Sequence, residues 1–322
     1  MNETRLKKIE YWFRDFFANL LLTFSMRVLK MLSPKALVFM GRIFGVMAFY
    51  LNRRYRDRVL GNLSLAFKNE KHSEEIKKLA REVFFNFSLT PLETLYAYVR
   101  PFDKFILKIE IQGKERLDQA LAQKRGVIGL GVHLGPFTLV GARLSLEGYP
   151  FNLIINEGKF PKLWKRLNDL QRRLGQNLFP PKPASVSVKK SLNALRRNEI
   201  LYLVADEQQI RGGLPVPFFG QTAYTPPGPA IFSLKTGAPI LPMFIVREAG
   251  VPRTLVIGSP VEIERTSDEK KDTEQLTAKF TRVIEDIVRQ YPSQWPWLNR
   301  RWKLPYNIPY QKGPLDMGNQ EV

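Results

Sequence analysis

Two histidines, His72 and His133, carry all the imidazole chemistry available to this 322-residue chain, and there is no cysteine. Disulfides, thiolate metal sites and thiol nucleophiles are therefore excluded, and a transition-metal site would have to be built mostly from carboxylates. No metal and no cofactor is expected. His133 follows the apolar run GVIGLGV and precedes LGPFTLVGARL, a pattern that predicts a strand, a turn, and a helix starting around Gly135 or Pro136. A histidine at the carboxyl end of a strand has a fixed backbone and opens onto the crevice where α/β sheets receive ligands, which suits a general base. A helix N-terminus beside it favours the neutral ring. Taken alone, such a residue serves packing or capping at least as often. His72 lies in the polar run KNEKHSEE and reads as a solvated loop residue.

The elements that must position His133 alternate in type. FILKIEI (105–111), GVIGLGV (126–132), FNLIIN (151–156), ILYLVA (200–205), ILPMFIV (240–246) and TLVIG (254–258) read as strands, separated by stretches of helical length. The expected fold is α/β, a mixed and mostly parallel central sheet flanked by helices, with site residues following strands. Residues 73–98 place Leu79, Val83, Phe84 and Phe87 on one helical face.

Apolar residues make up 44% of the chain and charged residues 25%, as in a globular protein, but the net charge is +20. That sign attracts anionic lipid, phosphorylated carriers or nucleic acid. The bases stand beside Trp, Phe and Leu and no nucleic-acid recognition motif is present, so nucleic acid is not an expected partner. Residues 1–58 hold twelve Lys and Arg against four acids, around the aromatic clusters 11–32 and 36–58. Neither cluster offers about 20 uninterrupted apolar residues, and no cleavage pattern follows them. They read as an amphipathic helical pair lying in a membrane interface, as a hairpin packed on the core with a solvated basic face, or as a short spanning helix. The division expected is membrane-associating helices over 1–58, a catalytic domain over 59–303, and a loose tail over 304–322. KFPKLWKRLNDLQRRLG (159–175) is a further cationic amphipathic helix, able to face membrane phosphates or a carrier protein, or to pack on the core.

Four stretches resemble the lipid A biosynthesis acyltransferase family, within the lysophospholipid acyltransferase superfamily. They are RVLGNLSLAF (58–67), the His133 region, ADEQQIRGGLPVPFFGQTAYTPPGPAIFSLKTGAPILP (205–242) and YPSQWPWLNRRWK (291–303). The resemblance implies acyl transfer from a thioester, carried by acyl carrier protein or coenzyme A, to a hydroxyl of a lipid A precursor or a related glycolipid or phospholipid. It implies a place on the cytoplasmic face of the cell inner membrane. In the family's pattern an acid five positions after the histidine orients the ring; here that position is Thr138, whose hydroxyl is expected to orient the ring by accepting its hydrogen bond but brings no negative charge. Asp206, Glu207 and Glu157, each following a strand, are the expected substitutes, in that order. The superfamily's acidic turn and neighbouring base also assign acceptor binding to Glu207 and Arg211, with Arg211 on a phosphate. The loss of the acid at Thr138 gives a second reading, an impaired relative that binds lipid or carrier without transfer.

Overall fold

The computed structural model describes residues 3–68, 70–100, 105–155 and 161–302, with side chains from Phe13 onward. Glu157 and the tail 304–322 lie outside these residues. Nine strands are described: β1 (Glu110–Gln112), β2 (Val127–Gly131), β3 (Phe151–Ile154), β4 (Gln176–Phe179), β5 (Ile200–Val204), β6 (Leu214–Phe218), β7 (Gln221–Thr225), β8 (Ile240–Glu248) and β9 (Val251–Ile257). Seven form one sheet in the order β1-β9-β8-β2-β5-β3-β4, parallel except for the β8–β9 pair, and β6–β7 is a separate antiparallel hairpin. The mixed, mostly parallel sheet is thus as expected. Its centre is β2, between β8 and β5, and alternate residues feed cores on opposite faces: Ile128 and Leu130 join one cluster, Val127 the other.

Two local expectations need correction. FILKIEI is not a continuous strand: Ile106–Lys108 is a 3-10 turn that buries Ile106 and Ile109, and pairing with β9 begins only at Glu110. The short β4, with polar Gln176 and Asn177 and no β-branched run, escapes a search for alternating or apolar strands.

Among the described residues ten α-helices cover the sheet and its edges: α1 (Glu3–Met31), α2 (Pro34–Leu51), α3 (Arg53–Ala66), α4 (Ser73–Val99), α5 (Lys114–Ala122), α6 (Val140–Leu146), α7 (Pro161–Arg173), α8 (Ala184–Arg196), α9 (Gly228–Thr236) and α10 (Glu269–Gln290). The expected 36–58 segment breaks in two because the Asn52 side chain accepts from the Tyr55 N–H at 3.3 Å and starts a new helix. Helix α2 is long and apolar enough by length and composition to cross a membrane. One face of it nevertheless packs on α4, where a Cβ on Gly45 would stand 2.7 Å from the Phe85 Cα. The opposite face leaves Phe39, Phe44 and Met47 exposed.

Helix α4 is tied to the sheet by a buried ion pair. The Arg247 guanidinium, at the end of β8, donates through Nε to both Glu93 oxygens at 3.0 and 2.9 Å, through Nη1 to Asn86 and through Nη2 to Thr90. Both side chains are 2% exposed, so removing one leaves a charge with neither water nor counter-ion. Glu93→Ala should therefore lower unfolding free energy by about 3–5 kcal/mol in denaturant titration. A loss well under about 1 kcal/mol, the size seen for surface pairs, would contradict the placement of this bridge.

Candidate active site

Strands β2 and β5 run parallel in a register that pairs Gly131 with Val204, so residues two positions beyond each, His133 and Asp206, emerge side by side. The Asp206 carboxylate accepts from the His133 backbone N–H at 2.9 Å through Oδ2, and its Oδ1 lies 2.7 Å from the His133 Nδ1. The Trp295 indole N–H donates to Oδ2 at 2.7 Å. An ionised carboxylate only accepts, so Nδ1 carries a proton in either state of the ring, and in the neutral ring it is Nε2 that keeps a lone pair toward the crevice. The strand can come this close because Gly131 has no side chain: a Cβ there would stand 2.5 Å from the Tyr202 ring.

Asp206 is 1% exposed whereas the imidazole is 25% exposed, so the carboxylate is sealed and the ring is reachable. Burial alone would raise the Asp206 carboxyl, but His133 and the Trp295 N–H together hold it below its ordinary range. Burial works against the imidazolium in the same way, yet the charge and hydrogen bond of Asp206, helped by Glu207, push His133 up to about 9. Behind the pair lies Arg301, 1% exposed and bonded to Thr225 Oγ1 at 2.6 Å, a second buried cation felt by Asp206 and Glu207.

The ring opens on a cavity of about 570 Å³, within the range of ligand pockets. Its walls are mostly apolar, with Val83, Phe87 and Leu95 from α4, Leu163 and Trp164 from α7, and Leu22 from α1. The apolar face of the 159–175 helix is thus a cavity wall. Its first turn is held by α1, since Asp15 accepts from the Lys162 and Leu163 N–H groups at 3.2 and 3.3 Å.

The other expected residues fall differently. Thr138 does not bond the ring. Its hydroxyl lies 2.6 Å from that of Thr94, whose proton is already given to the Thr90 carbonyl, so Thr138 donates to α4 and lines the cavity. The chain enters a 3-10 turn at Phe137–Leu139 before α6, not a helix at Gly135, and Gly135 itself takes a φ of +57°. Glu207 lines the cavity and accepts from Asn299 at 2.8 Å, whereas Arg211 is exposed and lines none of the cavities described here. Glu157 lies outside the described residues. Among the described residues no three His, Asp or Glu side chains gather to hold a metal ion. His72 is exposed and caps the start of α4.

Residues that sequence reasoning left without a role complete the site. Trp295 donates to Asp206, and Asn62 donates to the Trp297 and Asn299 carbonyls at 2.7 and 2.9 Å while Arg58 holds the Leu298 carbonyl at 3.1 Å. The RVLGNLSLAF stretch therefore clamps the Trp-rich stretch against the dyad. Their motifs were visible, but nothing in either one signals that they meet.

With two histidines, the ring is open to NMR titration, the His72 signal being removed by His72→Gln. His133 should titrate well above the ordinary 6.5, and Asp206→Asn should bring it to or below that value, because burial then acts unopposed by the carboxylate. Equal midpoints in the two proteins would show that the carboxylate does not control the ring.

Comparison with known proteins places this geometry in context. The chain is 26% identical over 275 residues to the lipid A biosynthesis palmitoleoyltransferase of Escherichia coli (strain K12), covering 83% of this chain and 85% of that protein. It is 26% identical over 278 residues to the lauroyltransferase of the same organism, covering 84% and 86%. It is 31% identical over 193 residues, 60% of this chain and 59% of the other, to the phosphatidylinositol mannoside acyltransferase of Mycobacterium tuberculosis (strain ATCC 25618 / H37Rv). The sequence pattern of the bacterial lipid A biosynthesis acyltransferases matches residues 3–304, from the first helix through the Trp-rich segment, and the chain is an acyltransferase belonging to that family.

Proposed function

We propose that this enzyme moves a fatty acyl chain from a thioester, on acyl carrier protein or coenzyme A, to a hydroxyl of a lipid A precursor or related glycolipid, with His133 as general base. The observation that carries this reading is the His133–Asp206 pair set in the wall of an apolar cavity. The His133 Nε2 takes the proton of the acceptor hydroxyl as its oxygen attacks the thioester carbonyl. The resulting imidazolium is stabilised by the Asp206 carboxylate. The attack forms the C–O bond; collapse of the tetrahedral adduct restores the carbonyl, breaks C–S, and passes the proton from the ring to the departing sulfur. The apolar walls hold the acyl chain and exclude the water that would otherwise hydrolyse the thioester. Asp206 brings to the ring the negative charge absent from Thr138, which favours the catalytic reading over the non-catalytic one. The named relatives act on lipid A or on a phosphatidylinositol mannoside, which supports a glycolipid acceptor.

The same reading seats the protein on the cytoplasmic face of the inner membrane. Leu20, Leu21 and Phe24 of α1 are exposed, each more than half, while Leu22 of the same helix lines the cavity. A contiguous apolar surface of this kind beside Arg27 and Lys30 fits the interface of an anionic bilayer, and it brings acyl chains to the cavity from the lipid side.

Purified enzyme, membranes, long-chain acyl carrier protein and candidate acceptors, followed by mass spectrometry, test both parts. His133→Ala and Asp206→Ala should each lower turnover about 10²–10⁴-fold, the usual worth of a general base, with Thr138→Ala losing far less. The pair Leu21→Glu and Phe24→Glu should release the protein from vesicles. Product formation by His133→Ala at the wild-type rate would remove the assigned base.

A further inference from the structure

A second cavity of about 440 Å³ lies where α2 meets α3, across from the Asn299–Arg300 turn. The polar groups on its walls are rich in donors: Arg58 and Arg300 face Asn52, Tyr55 and Asn299. Arg58 is half-buried and gives one N–H to the Leu298 carbonyl, which leaves four of its five donors. Arg300 is exposed, and among the described residues neither arginine nor the adjacent Arg54 is engaged by a carboxylate; Arg56 instead takes Asp57. Glu207 accepts from Asn299 and shares a further recess with Arg300. Burial, then the like charges of Arg300 and Arg54, lower the Arg58 guanidinium from its ordinary value, a repulsion that a bound anion relieves.

Two features of placement say what kind of anion fits. Phe87 and Asn299 line both this cavity and the one at His133, so the two cavities adjoin. On the other side Ala48 and Asn52 form the wall where α2 exposes Met47 and Leu51, so the ligand's polar part lies next to an apolar, bilayer-type surface. A carrier-borne donor arrives from water and has no use for that border, whereas a phosphorylated lipid has both parts. Arg211, the base expected from sequence to meet phosphate, lines neither cavity.

We propose that the cavity between Arg58 and Arg300 binds a phosphomonoester on the polar part of the glycolipid acceptor and so sets which hydroxyl reaches His133. The proposal rests on the acyl-transfer reading above. Guanidinium groups bind phosphate oxygens bidentately and keep their charge at every physiological pH, and a pair of them facing one cavity defines position as well as sign.

Arg300 is the residue to change, because Arg58 also holds the Leu298 carbonyl and its loss would disturb the segment carrying Trp295. Full-length wild type, Arg300→Ala and Arg300→Lys are compared on a phosphorylated glucosamine-disaccharide lipid and on the same lipid with its phosphates removed. Wild type should prefer the phosphorylated acceptor, and Arg300→Ala should raise that acceptor's KM about tenfold or more with the donor's KM unmoved, as loss of one charge-assisted contact implies. Arg300→Lys should recover most of the loss. An unchanged acceptor KM, a rise in the donor's KM instead, or an equal fall in kcat on both acceptors would overturn the proposal. A binding arm is independent of turnover: His133→Ala should float with phosphatidylcholine vesicles carrying the phosphorylated lipid in preference to the dephosphorylated one, and His133→Ala/Arg300→Ala should lose that preference. A preference kept in the double variant, or an equal drop on phosphatidylglycerol vesicles, would mean generic surface charge and no phosphate seat.

Discussion

A carboxylate sealed from water at the ends of two parallel strands is stable only while every donor around it stays in place. Asp206 accepts from the His133 ring, the His133 backbone and the Trp295 indole, and the three together offset a desolvation that would otherwise protonate it. The donors come from two distant parts of the chain. The β2–β5 register brings His133, and the C-terminal Trp-rich segment, held at Trp297 to Asn299 by Asn62 and Arg58 of α3, brings Trp295. Placing a charge in that seal makes the imidazole a stronger base than in water and, in the proposed mechanism, stabilises the imidazolium formed as the acceptor loses its proton.

Helix α4 joins this electrostatic device to the apolar one. One stretch of it, around Asn86 to Glu93, meets Arg247 through buried polar groups, and Phe87, Pro91 and Leu95 line the cavity. Thr94 fixes the Thr138 turn just beyond His133. The N-terminal helices then close the outer wall: α1 contributes Leu22 and caps α7 through Asp15, while turning Leu21 and Phe24 outward. In the proposed reading the outward surface meets bilayer and the inner one meets substrate, with Arg27 and Lys30 of the same helix beside the outward face.

Much of this is legible in the sequence, and the reasons are local. His133 stands out because an apolar strand run ends beside it, and Asp206 because a second run ends beside it; the parallel sheet then makes neighbours of strand ends. The family resemblance pointed to Thr138 as the ring's partner by spacing alone, and spacing fails there because a 3-10 turn sends that hydroxyl to α4. Trp295, the Arg247–Glu93 bridge and the clamp from Arg58 and Asn62 span more than 80 residues each, and no periodicity or local motif encodes such pairs. Residues over FILKIEI mislead for the opposite reason: β-prone side chains serve equally well to bury a tight turn.

The claim that the sealed carboxylate makes the ring a base is tested most directly by the pH dependence of kcat/KM in wild type and Asp206→Asn. A base must be unprotonated to act, and a ring pushed up to about 9 is mostly charged at neutral pH, so the wild-type rate should climb about tenfold per pH unit toward an inflection near 9. In Asp206→Asn the inflection should move down to about 6.5 or below, with a much lower plateau. A wild-type profile flat across the alkaline range, or an inflection that stays put when the carboxylate is removed, would contradict the account.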